Sequence, residues 1–242
     1  MRIVPTFIVV LVTCLGLAQA ASRVDEIPVP AGYQAVEYPA GSYSQWLTRR
    51  PLKNSLEIAD HAGRRVPAGS YSVYAVLDLP LFFTGDLEQC ADYAMRLWAE
   101  YHKDTNRLDK LYLFDYNGRR QNFQTSRLSY RNFLHRAFAS SNSHSLKKGC
   151  AVVDTSALAP GDMVVQNERG GVGHVSVVMN ACRNSAGQKL YLLGFSYMPA
   201  QEFHIEKALE GYGKDGWFTV EGYFRYLKDY MDLGTPVLRR FK

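Results

Sequence analysis

The second half of the chain consists of short apolar runs separated by turn signals, which confines it to a sheet. From Cys150 onward these runs fall at about Ala151 to Asp154, Asp162 to Gln166, Val172 to Cys182 and Lys189 to Tyr197. Asn184-Ser185-Ala186-Gly187 supplies a hairpin turn, so the last two runs pair antiparallel. One helix is equally legible upstream. Asp86 with Gln89 three residues later forms a capping box, which places Cys90 in the first turn of a helix running to about Lys103. Leu87, Ala91, Ala94, Leu97, Trp98 and Tyr101 give that helix an apolar stripe that would pack on the sheet. On its other flank Asp92, Arg96 and Glu100 stand four apart and read as a ladder of solvated ion pairs; a substrate-gripping Arg96 is the sharper alternative. A helix laid on an antiparallel sheet makes the fold class α+β.

The rest of the chain is organised around this core. Met1-Arg2, an apolar run from Ile3 to Leu17 and Ala18-Gln19-Ala20 describe a secretory signal peptide over residues 1–20, cut after Ala20. The expected location is therefore secreted or periplasmic. Cys14 raises a rival, lipid anchoring after cleavage before that cysteine, although Thr13 fits poorly where a smaller residue is expected. Nothing after Ala20 is apolar for long enough to span a bilayer. Residues 21–65, rich in Pro, Gly and Tyr, read as an extended N-terminal arm with one short helix around Tyr43 to Thr48. Residues 66–242 then form a single α+β domain. Within it Ser70 to Leu79 is a strand ended by Pro80, and Leu111 to Tyr116 is a strand whose Asn117-Gly118 turn opens a hairpin. Ser129 to Ala139 is helical, Ser140 to Ser145 is a polar loop, and a short helix follows Val220. Charge is nearly balanced, 28 Lys and Arg against 23 Asp and Glu, and its one tight basic cluster is Arg239-Arg240 with Lys242. That is no footprint for nucleic acid.

Cysteine and histidine carry the candidate chemistry. Once Cys14 leaves with the signal, Cys90, Cys150 and Cys182 remain. An oxidising compartment favours pairing, and if Cys150 and Cys182 pair, Cys90 is the odd thiol. A free cysteine is commonly a small buried apolar residue, but at a helix start it feels the positive end of the dipole, which favours the nucleophilic thiolate. His174 follows Gly170-Gly171-Val172-Gly173, glycines that let a loop or substrate backbone approach the imidazole. A nucleophile on a helix and a base on a strand is a common construction of cysteine hydrolases. The third group, which would orient the imidazole, is open. A hairpin closing around Ser185 and Ala186 puts position 174 across from about 197, so Phe195 and Tyr197 share its face. A slip of one residue brings Ser196 there instead, and Gln201 can reach from the loop. His61, His102, His135 and His144 read as surface residues and His204 stands apart, so no zinc spacing exists; no phosphate-cradling motif or Gly-x-Ser-x-Gly elbow is present. No cofactor is expected.

Leu87-Glu88-Gln89-Cys90-Ala91-Asp92, Met95-Arg96-Leu97, Ala99-Glu100-Tyr101, Gly173-His174 and Ser196-Tyr197-Met198-Pro199-Ala200-Gln201 resemble a secreted bacterial family known as domain of unknown function 4846. The resemblance covers about residues 25–242, and it implies no established activity. In that family a glutamine usually stands where this chain has Phe195. More distantly, a helix-borne Gln-Cys, then Gly-Asp, then Gly-His-Val on a strand is similar to the NlpC-like peptidases and CHAP amidases of the papain-like fold. That similarity implies Cys90 as nucleophile, His174 as base and a polar residue on the next strand as its orienter. The expectation is a cysteine amidase or peptidase acting on cell-wall amide bonds, with Cys90, His174, Gln201 and Ser196 as its site. The competing expectation is a non-catalytic envelope protein binding glycan or peptide in the same cleft. Peptidoglycan or an envelope peptide is the partner in either case.

Overall fold

The computed structural model describes residues 21–168 and 170–242; the signal-peptide and Cys14 readings fall outside them. In chain order the elements are β1 (Tyr33–Ala35), α1 (Tyr43–Thr48), β2 (Val73–Val76), α2 (Cys90–Asp104), β3 (Tyr112–Phe114), β4 (Arg120–Asn122), α3 (Phe123–Ser126), α4 (Tyr130–Ser140) and α5 (Ser143–Gly149). They continue with β5 (Ala151–Val152), β6 (Met163–Gln166), β7 (His174–Asn184), β8 (Lys189–Phe195), β9 (His204–Glu206), β10 (Gly213–Lys214), β11 (Trp217–Phe218), α6 (Val220–Tyr230) and β12 (Val237–Arg240). The fold is α+β. A ten-stranded antiparallel sheet runs β10-β11-β8-β7-β6-β12-β5, with β1 on β7, and β9 joining β8 to β2. A separate hairpin pairs β3 with β4 through the Asn117-Gly118 turn, where Gly118 takes φ 76°.

Strand alternation divides the core into two layers. Met163, Val165, Val175 and Val177 point to the side of α2, where they join Ala91, Ala94, Met95 and Leu97. Val164, Val178 and Leu193 point the other way and meet Tyr223, Tyr226 and Leu227 of α6. The β7–β8 register contains a correction that places the site. Near the turn Arg183 pairs with Lys189, one residue away from the hairpin expected from sequence. A bulge between Val178 and Asn180 then absorbs the offset, and Val177 stands opposite Gly194. Extending this pairing puts Phe195 across from Ser176, so Phe195 shares the face of His174.

Three expectations are overturned here. The flank of α2 bearing Asp92, Arg96 and Glu100 is buried rather than solvated. Arg96 donates to Glu88 Oε1 at 2.5 Å and to the Pro80 carbonyl at 2.7 Å, since the chain before α2 folds back over this flank. The Arg96 Nε also pairs with Glu100 at 3.5 Å, so one pair of the expected ladder forms, buried and without Asp92. The polar stretch read as a loop contains α5, whose cap Asn142 accepts from the His144 and Ser145 backbone N–H groups. Its polarity is explained by local hydrogen bonding, with Ser143 and Ser145 themselves buried. Cys150 and Cys182 are both free thiols. In the sheet β6 and β12 lie between β5 and β7, a separation of roughly 14 Å at ordinary strand spacing, which no disulfide can bridge.

Candidate functional site

Cys90 is the first residue of α2, and Gln89, in extended conformation, caps it. The Gln89 N–H donates to Asp92 Oδ2 at 3.1 Å, so the reciprocal carboxylate of the cap is Asp92. Asp86, expected as the cap, instead accepts from the Gln89 side chain at 2.9 Å and from the Ala200 N–H at 2.6 Å. It thereby ties the Tyr-Met-Pro-Ala-Gln segment to the helix entrance. The Cys90 Sγ rests 3.9 Å from the Gly173 carbonyl and also meets the Val175 N–H. These are edge groups of β7 left uncovered because its pairing with β8 ends at Val177 and Gly194. Cys90 is only 6% exposed. Burial pushes its thiol up to about 12, outweighing the Val175 N–H that favours the thiolate. The dipole advantage expected at a helix start is thus overridden by desolvation.

His174 opens β7 next to this sulfur. It shares a face with Ser176, whose Oγ accepts from Tyr223 of α6 at 2.6 Å, and with its cross-strand partner Gln166, whose amide donates to the Met231 and Gly234 carbonyls just beyond α6. No hydrogen bond joins Cys90 to His174, and among the described residues neither ring nitrogen of the fully buried His174 has a partner. The ring meets Phe195 edge-on at 4.8 Å between centroids and Tyr197 at 5.6 Å. Burial, with His204 adding a like charge nearby, pushes His174 down to about 3. The other two expected residues do not orient it. Gln201 donates its amide to the Tyr71 hydroxyl at 3.0 Å, and the Ser196 hydroxyl donates to the Gln201 carbonyl at 2.7 Å.

Behind Phe195 lies a polar group that sequence reading missed. His204, opposite Phe195 in the β8–β9 register, has its ring 4.4 Å from that phenyl and bonds Glu206 Oε2 through Nε2 at 3.0 Å. Glu206 also accepts from the Ser72 N–H at 2.7 Å and the Tyr226 hydroxyl at 3.0 Å. Phe195 therefore separates two buried imidazoles, and His204 Nδ1 is unpartnered as well. Period-two spacing in Phe203-His204-Ile205-Glu206 was the available signal, since it puts His204 and Glu206 on one face. His102, expected at the surface, is buried with Nδ1 2.9 Å from the Trp98 carbonyl. Among the described residues no group of three or more His, Cys, Asp or Glu side chains is arranged to hold a metal ion.

A cavity of about 390 Å3 opens over Cys90. Asp86, Gln89 and Asp92 come from the helix entrance, Asn142 and Ser143 from the start of α5, and Val172 and Gly173 from the loop before β7. That loop is braced by Asn167, which accepts from the Gly170 N–H at 2.8 Å and donates to the Gly171 carbonyl and the Ser143 hydroxyl, each at 2.9 Å. At Gly173 a Cβ would overlap the Gln166 carbonyl and the Ser143 hydroxyl, so this close approach requires glycine. Gly173 thus serves packing against α5, and the His174 imidazole that follows it is fully buried. The helix start with Cys90, Gly173-His174 and the Ser196–Gln201 segment are the regions expected from sequence to mark the family. A family model described as Domain of unknown function (4846) matches residues 24–127 and 115–228, two overlapping segments that together run from Val24 to Lys228. The chain belongs to that family. No significant match was found among curated proteins or among solved structures. Family membership gathers the cavity walls from Asp86 to Met198 within the matched segments, and it assigns them no activity. Among the described residues no helix is long and apolar enough to cross a membrane.

Proposed function

We propose that this protein is a non-catalytic ligand-binding member of the cell envelope, built on a frame similar to the papain-like NlpC and CHAP hydrolases, whose cavity over Cys90 takes peptide or glycan of the wall. One observation carries the reading: His174 is fully buried with neither ring nitrogen bonded among the described residues, while the cavity over Cys90 is formed and lined with polar groups. A thiol raised to about 12 beside an imidazole lowered to about 3 stays protonated at neutral pH, whereas a cysteine nucleophile needs its proton taken by a bonded base. The envelope location follows from the signal-peptide pattern of residues 1–20. Co-sedimentation with purified peptidoglycan tests the reading. The wild-type protein is expected in the pellet, and Val172→Asp and Met198→Asp, at the exposed rim of the cavity, are expected to release it. Absence of the wild type from the pellet, or indifference to both substitutions, refutes it.

The hydrolase reading retains one specific support: Cys90 is the first residue of a 15-residue helix and lines the cavity. Alkylation of Cys90 across pH, in wild type and His174→Ala, separates the two. Slow labelling below pH 8 that ignores the substitution is expected. Fast labelling below pH 7 that His174→Ala abolishes would replace the binding reading with an activated Cys90–His174 pair.

A further inference from the structure

The cavity contains a carboxyl group that the fold leaves half used. Asp92 lines it and is 6% exposed; its Oδ2 takes the Gln89 N–H, but its Oδ1 is buried with no partner among the described residues. A buried polar atom without a partner is costly, and a structural cap needs only one of the two oxygens. Arg96, one turn along the helix, is committed to Glu88 and Pro80 and does not neutralise Asp92. Burial, reinforced by the Glu88 charge, holds Asp92 well above the usual carboxylate range and so favours its protonated form, which donates as well as accepts.

The surroundings narrow what such a group would meet. The exposed carboxyl of Asp86 stands at the mouth, which disfavours an anion. Val172 and Met198 form an apolar rim, 66% and 36% exposed. On the floor the Gly173 carbonyl takes the weak 3.9 Å contact from the Cys90 thiol and no other partner among the described residues. A donor–acceptor acid beside an under-used carbonyl, beneath an apolar rim, complements an N–H and a C=O carried between apolar groups. We propose that Asp92 is the selecting group of the Cys90 cavity and that the cavity takes a neutral carboxamide, the peptide bond of its ligand. This rests on the binding reading above and names the part of the ligand that is recognised.

The test is an NMR titration of the 15N,13C-labelled protein with N-acetylalanine methylamide, and with acetate as its anionic counterpart. The neutral amide is expected to shift the Ala91, Gly171 and Gly173 amide signals and the Asp92 carboxyl carbon saturably, and acetate is expected to leave them in place. Asp92→Asn, which keeps a donor and an acceptor, should bind within a few-fold of wild type, and Asp92→Leu should bind at least about tenfold more weakly. Equal binding by Asp92→Leu, equal response to acetate, or unmoved Gly173 and Asp92 signals overturns the proposal. Should Asp92→Leu fail to fold, the Asp92 carboxyl carbon of the wild type decides alone: a stationary signal on adding the amide is a refutation. Retained peptidoglycan binding without these shifts defeats this inference only, whereas loss of both defeats the binding reading itself.

Discussion

At the scale of single residues, His174 shows how burial sets chemistry. An imidazole with an ordinary value of about 6.5 is held near 3 in the fold, so the unfolded chain takes up its proton first as pH falls. The sign follows directly: the contribution of His174 to stability is full above about pH 6.5 and is lost as pH drops toward 3, with a slope of at most about 1.4 kcal/mol per pH unit. Asp92, raised by burial, contributes in the opposite sense, so wild type must be compared with His174→Phe by urea denaturation between pH 7 and pH 4. The wild type is expected to lose more stability than the variant over this span; parallel losses would mean that His174 does not titrate with unfolding. Phe195 sets the isolation of this ring by standing between His174 and His204. Phe195→Gln places an amide within reach of both imidazoles, and the His174 value should climb by about one unit or more, read from its ring resonances. An unchanged titration would show that desolvation alone governs His174.

Among elements, α2 is the member on which the site depends, and its entrance is fixed by buried charge. Glu88, fully buried just before the helix, accepts from Arg96 and from the Phe82 N–H at 2.6 Å, locking the preceding chain onto the first two turns. Removing one member of a buried pair strands the other. Arg96→Met is expected to cost about 3–5 kcal/mol in denaturant unfolding, and Glu88→Gln with Arg96→Met should recover part of that loss. A cost below about 1 kcal/mol for the single change would show the pair to be dispensable. Sequence spacing placed Arg96 on a polar flank correctly by angle, since positions four apart do share a face. It gave no indication that the chain before the helix returns to cover that flank, which is a tertiary event.

For the whole molecule, the two ends of the described chain close over the same helix. Phe241, 5% exposed, stacks on Trp98 at 5.0 Å, and α1 packs Tyr43 and Trp46 around Tyr101. Phe241→Ala should therefore destabilise the entire domain by about 3–5 kcal/mol, measured by thermal or urea unfolding. A variant as stable as wild type would place the tail outside the cooperative core. The strands of the second half, the Asn117-Gly118 hairpin, the short helix at Tyr43–Thr48 and the α2 stripe were all legible, because each follows from local periodicity or turn chemistry. Cys90 at a helix start and Phe195 on the face of His174 were legible for the same reason. The local pattern could not supply the short helix α5, the burial of Arg96, the separation of Cys150 from Cys182 or the approach of His204. Each of these depends on which surfaces the rest of the chain covers. Above all, sequence by itself determined that a thiol opens a helix and an imidazole stands at the start of a strand. Tertiary structure decided that these two starts meet without a hydrogen bond between the side chains: the sulfur docks on the strand edge, the ring packs on Phe195 and Tyr197, and desolvation moves their proton affinities in opposite directions.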